Sequence, residues 1–203
     1  VAKVAGMGRL LLIYLPIFNY MTNTIQPFAG RITVALMLML TIFIQSCSET
    51  PDKFFSTAVL NTNVFNDFGT PILAKHINDE TLEFPDIPSS KKKGDEALKT
   101  IENKILYLEK SLKDIQGLAA NDQLKTDIKT QSIALYELVI PVYKNEYTAY
   151  AKLCDAKAPQ AERDQIIKTI EEKYNARFEQ QYAALLSNGK AFAKENNLNV
   201  DWK

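Results

Sequence analysis

Residues 96–119 read EALKTIENKILYLEKSLKDIQGLA, and this stretch decides the fold. Leu98, Ile101, Ile105, Leu108, Leu112, Ile115 and Ala119 follow one another at alternating steps of three and four. An α-helix turns once every ~3.6 residues, so such positions fall on one stripe. A seven-residue repeat with apolar first and fourth positions is the seam of helices packed side by side. Lys99, Glu102, Lys104, Glu109, Lys110, Lys113 and Asp114 fill the polar faces between. Gly117 and then Asn121-Asp122 supply a stop and a turn.

Toward the C-terminus the pattern continues. A helix is predicted from about Gln123 to Cys154, with Leu124, Ile128, Leu135, Leu138, Val142, Ala149 and Leu153 facing inward. Pro141 lies inside it and frees the carbonyl of Glu137, which predicts a kink rather than an end. Asp155 to Pro159 is the next turn. A last long helix then places Ile167, Ile170, Tyr174, Phe178, Tyr182, Leu185 and Phe192 inward. Glu195-Asn196-Asn197 closes it, and the tail is expected to fold back through Val200 and Trp202.

Toward the N-terminus the pattern weakens. Asn78 to Ser90, with Pro85 and Pro88, reads as a connector, and Lys91-Lys92-Lys93 as a wet surface beside Asp95 and Glu96. Lys53 to Ile77 carries Phe55, Ala58, Phe65, Phe68 and Ile72 at mostly helical steps, interrupted at Gly69-Thr70-Pro71. Three long helices with short connectors must run antiparallel to bury their stripes. The fold class read from the sequence is therefore all-α: an antiparallel up-down helical bundle of three long helices plus a fourth, preceded by a signal segment.

That segment is Arg31 to Thr50, RITVALMLMLTIFIQSCSET. Its apolar run, Ile32 to Ile44, is thirteen residues long, short of the ~20 that cross a bilayer core. It suits the apolar part of an export signal, with Arg31 as the positive flank. A leader beginning at Met21 would have 26 residues, within the usual ~15–30, so residues 1–20 read as an upstream extension. The ending Ile44-Gln45-Ser46-Cys47 resembles the lipobox of bacterial lipoproteins, and with the closing AFAKENN the chain resembles small helical lipoproteins of the Bacteroidota type. In that family Ser46 would be the small residue before the cut, and Cys47 the lipidated residue of a cell-envelope protein. Ile44 and Gln45 depart from the commonest residues there. The resemblance implies residues 1–46 removed, 47–52 as a lipid tether and 53–203 as the bundle domain. It also implies a membrane partner through the anchor at Cys47, in the cell envelope (outer membrane, periplasmic or surface-facing), with the membrane and the face left open, and an envelope protein partner.

Removing Lys3, Arg9 and Arg31 with the leader reduces 24 basic residues to 21 against 24 acidic ones. A mildly acidic body argues against nucleic acid as a partner. With Cys47 lipidated, Cys154 stands alone and reads as a small core residue. A single histidine, His76, cannot build a carboxylate-bridged di-iron site, and no haem motif, nucleophile elbow or phosphate loop occurs. No cofactor and no enzymatic activity are expected. Tyr136, Tyr143, Tyr147 and Tyr150 recur at spacings of 7, 4 and 3, on one face of the proline-containing helix. Rings with hydroxyl tips suit a ligand cleft, and they equally suit the filling of a gap opened by Pro141. The expectation is a lipid-anchored, non-catalytic envelope protein that binds a partner or serves structurally. The alternative is a small-molecule-binding bundle with a tyrosine-lined pocket near Pro141.

Overall fold

The structure is a computed structural model, and residues 49–202 are described. They are helical and include no strand. The helices are α1 (Pro51–Ala58), α2 (Pro71–Asp79), α3 (Glu96–Gln116), α4 (Gln123–Val142), α5 (Thr148–Asp155), α6 (Gln160–Ile170) and α7 (Ala176–Glu195). A π-helical turn, Tyr143–Tyr147, joins α4 to α5, and a second, Glu171–Asn175, joins α6 to α7. The result is three long rods: α3, residues 123–155 and residues 160–195.

The rods run antiparallel, as the contacts between them demonstrate. Ala97 meets Asp155 near one end of the first pair, and Glu109 meets Lys144 further along, at 2.5 Å. On the second pair Gln131 bonds Asn188 at 3.0 Å and Glu146 bonds Tyr174 at 2.8 Å. As numbers rise along one rod they fall along its neighbour. The seam of α3 buries Ile101, Leu108 and Ile115 fully, while Ala119, expected inward, lies exposed beyond the helix end.

The second rod corrects the predicted stripe. The helix passes through Pro141 and widens into the π turn directly after it. Thr148 Oγ1 donates to the Tyr143 carbonyl at 2.9 Å, five residues back, where the regular ladder has slipped. A π turn holds one residue more than an α turn, and one residue rotates the helix face by ~100°. Ala149 therefore turns outward, and Tyr150, Ala151 and Cys154 take the interior instead.

The N-terminal segment is three pieces rather than one interrupted helix. Helix α1 starts at Pro51, and Thr50 caps it by accepting the Lys53 N–H at 3.3 Å. A 3-10 turn, Leu60–Phe65, follows, then Gly69 at φ +72°, then α2. The positive φ suits only glycine comfortably, and an added Cβ would stand 3.0 Å from Asn175 Oδ1. Ile72, expected on the inner stripe, is exposed, and Leu73, Ala74 and Ile77 are buried in its place.

Aromatic rings join this segment to the rods. Phe54 and Phe55 lie against Phe192, Phe65 against Tyr136 at 4.9 Å, and Phe68 against Phe178 at 4.9 Å between centroids. The tail folds back as expected, with Leu198 and Val200 packed on the core and Trp202 edge-on to Phe55. Lys190 stands over the Trp202 ring.

Candidate functional site

The sequence offers Cys47 and the four tyrosines as sites. Cys47 lies outside the described residues. The tyrosines lie inside the protein: Tyr136, Tyr143, Tyr147 and Tyr150 are at most 3% exposed, whereas Pro141 is on the surface. At three of them the hydroxyl explains why tyrosine rather than phenylalanine occupies the place. Tyr136 donates to the Asn61 carbonyl and Tyr150 to the Ala74 carbonyl, each at 3.1 Å, and Tyr147 accepts the Gly69 N–H at 2.9 Å. Asn61, Gly69 and Ala74 all belong to the N-terminal segment. Buried backbone groups need partners; short helices and turns supply most of them within the segment, and three tyrosines of the second rod add bonds to Asn61, Gly69 and Ala74.

Burial pushes the hydroxyl pKa of all four rings up, partly offset at Tyr147 by the Gly69 N–H and at Tyr136 by Ser111. Tyr143 is the exception in bonding, since its buried hydroxyl has no hydrogen-bond partner. Its ring packs 4.8 Å from that of Tyr147 and lies under the Lys104 amine. Lys104 and the exposed His76 both approach the Asp67 carboxylate, at 3.7 Å each. Burial lowers the Lys104 pKa and Asp67 pulls it partly back. Glu146 of one π turn accepts from Tyr174 of the other, so the two irregular turns are tied together. These polar groups hold elements in register.

Open space lies elsewhere, beneath the connector between α2 and α3. A cleft of about 560 Å³ is lined by Asn78, Leu82, Phe84 and Ile87 from α2 and the connector, and by Cys154, Lys157 and Arg163 from α5, the turn after it and α6. Its volume falls within the ~300–1,000 Å³ of small-molecule sites. The connector is irregular but internally tied. Ser90 Oγ accepts the Phe84 N–H at 2.8 Å and lies 2.7 Å from the Ile87 carbonyl, to which it can donate. Pro85 and Pro88 fix φ on either side of Asp86-Ile87. Leu82, Phe84 and Ile87 are 43%, 55% and 50% exposed, so the connector holds three large apolar side chains in water.

Arg163, Lys91 and Lys157 give the cleft a cationic lining. Arg163 is half-buried, donates from one Nη to Asn78 Oδ1 and from the other to Gln160 Oε1 at 2.7 Å, and leaves Nε buried without a partner. Cys154 is the buried small residue expected, and burial raises its thiol pKa, with Arg163 and Tyr150 pulling it back. A thiol so placed is a weak nucleophile. Among the described residues no group of three or more His, Cys, Asp and Glu side chains stands close enough to hold a metal, and no helix is long and apolar enough to cross a membrane.

Sequence reading missed the cleft because its residues obey no period. Leu82, Phe84 and Ile87 sit in a proline-broken connector, and Arg163 looks like any polar-face residue of a helix. The available signal was the apolar content of a stretch that forms no helix. No protein-family model matches the chain, and no curated protein or solved structure matches it.

Proposed function

We propose that this is a lipid-anchored, non-catalytic protein of the cell envelope, tethered through Cys47, whose helical body binds a ligand or partner at the connector cleft. The observation that carries the binding reading is the cleft itself. Three exposed apolar side chains are held by a braced connector and share the cleft with the Arg163 guanidinium. Exposed apolar side chains grouped at a concave surface mark binding sites more often than scattered ones do. The anchor rests on the sequence from Arg31 to Cys47 and its likeness to a lipobox. The tyrosine face supports the body rather than a pocket, because its rings are buried and three of its four hydroxyls are bonded to backbone groups.

Two readouts on the full chain test the reading. Cys47→Ala is expected to leave the membrane fraction or to accumulate as an unprocessed precursor; membrane fractionation at the mature mass contradicts the anchor. Native mass spectrometry of protein extracted from its own membranes is expected to show a retained small molecule or partner, lost in Phe84→Ser. Equal retention by both proteins contradicts binding at the cleft.

A further inference from the structure

We infer that the connector cleft takes small amphipathic carboxylates, the carboxylate on Arg163 and the apolar body against Leu82, Phe84 and Ile87. The inference rests on the reading of the cleft as a binding site and names its ligand class. A guanidinium carries five N–H donors in a rigid fork. Asn78 and Gln160 take one from each Nη and hold the plane fixed. Nε is shut away inside the protein, so an anion in the cleft meets Arg163 through the Nη nitrogens, whose N–H groups pair well with a carboxylate oxygen.

Charge around the cleft agrees. Arg163, Lys157 and Lys91 line it against one acid, Glu83, and the Glu83 carboxylate already accepts the Lys92 N–H at 3.1 Å. Such a surplus attracts anions and repels cations. The apolar part of the lining discriminates among anions. A bare phosphate leaves Leu82, Phe84 and Ile87 uncovered. A carboxylate needs donors on one side only and can turn an alkyl or aromatic body to them. The connector is braced by Ser90 before any ligand arrives, so little ordering entropy is lost on binding.

Isothermal titration calorimetry of the membrane-extracted full chain tests this, with hexanoate and hexan-1-ol as probes and blank titrations into detergent alone. Hexanoate is expected to bind, and hexan-1-ol at least roughly tenfold more weakly, as befits the loss of a charged hydrogen-bonded pair. Arg163→Gln is expected to weaken hexanoate by a similar factor. Phe84→Ser, which alters an exposed side chain and leaves folding alone, is expected to weaken both probes. Equal affinity for the two probes overturns the carboxylate assignment; if Phe84→Ser still weakens both, the cleft remains a binding site. Absence of hexanoate binding at millimolar concentration overturns the inference outright, and the ligand-retention experiment on Phe84→Ser then judges the cleft separately.

Discussion

The Tyr147 hydroxyl accepts the backbone N–H of Gly69 at 2.9 Å across 78 positions of sequence. With Tyr136 on Asn61 and Tyr150 on Ala74, it forms a line of three bonds along which the N-terminal segment is fastened to the second rod. The partners ascend together, 136, 147 and 150 against 61, 69 and 74, so the segment lies parallel to that rod. The π turn makes this possible, because it brings Tyr147 and Tyr150 onto the face that buried residues of α4 began. The tyrosine spacing is thus a packing device, and the proposed binding surface is the connector cleft instead.

A second long-range fastening predicts a stability change. Asp155, at the end of the second rod, accepts the N–H groups of Ala97 and Leu98 at 3.0 and 2.9 Å and so caps α3. Asp95, at the position where a local cap would sit, makes no such bond and pairs with Lys99 instead. Losing an N-cap costs ~0.5–2 kcal/mol. Asp155→Ala is expected to lower stability by about that amount in urea unfolding, and Asp155→Asn, which keeps one acceptor, by less. An Asp155→Ala protein as stable as wild type contradicts the cap.

The buried phenols predict how stability depends on pH. In Tyr136, Tyr143, Tyr147 and Tyr150 the folded pKa is raised, chiefly by burial, above the ordinary value near 10.0. Below pH ~10 both folded and unfolded chains keep these groups neutral, and their contribution is intact. Above it the unfolded chain ionises first, so stability falls with rising pH. The urea midpoint is expected to decline above pH ~10, with the phenolate absorbance of these rings appearing together with the loss of helical circular dichroism. Full phenolate absorbance while the helices stay folded contradicts their burial.

The three rods were legible in the sequence because each supplies its own apolar period. Leu98 to Ile115 and Ile167 to Phe192 need no distant residue to declare their inner face. The N-terminal segment was less legible, since it breaks into short pieces whose placement depends on bonds to tyrosines more than seventy positions away. The stripe after Pro141 drifted because the π turn inserts one residue, which moved Ala149 out and Tyr150 in. The tyrosines were found, yet spacing alone could not tell a buried face from an open one; the hydroxyl partners in the N-terminal segment decide it. Arg163 and the connector residues had no period to reveal them, and their meeting depends on how the α5–α6 turn folds under the connector.

The central claim divides the molecule into a tyrosine face that holds the fold and a connector cleft that is free to bind, and thermal unfolding of two variants beside wild type tests it. Tyr147→Phe keeps the ring and leaves the buried Gly69 N–H without an acceptor, a loss of ~1–3 kcal/mol. In a domain of this size that lowers Tm by roughly 2–10 °C. Phe84 is 55% exposed, so Phe84→Ser should stay within ~0.5 kcal/mol of wild type. The account predicts a lowered Tm for Tyr147→Phe and an unchanged one for Phe84→Ser. Tyr147→Phe melting with wild type, or Phe84→Ser melting well below it, would contradict the division.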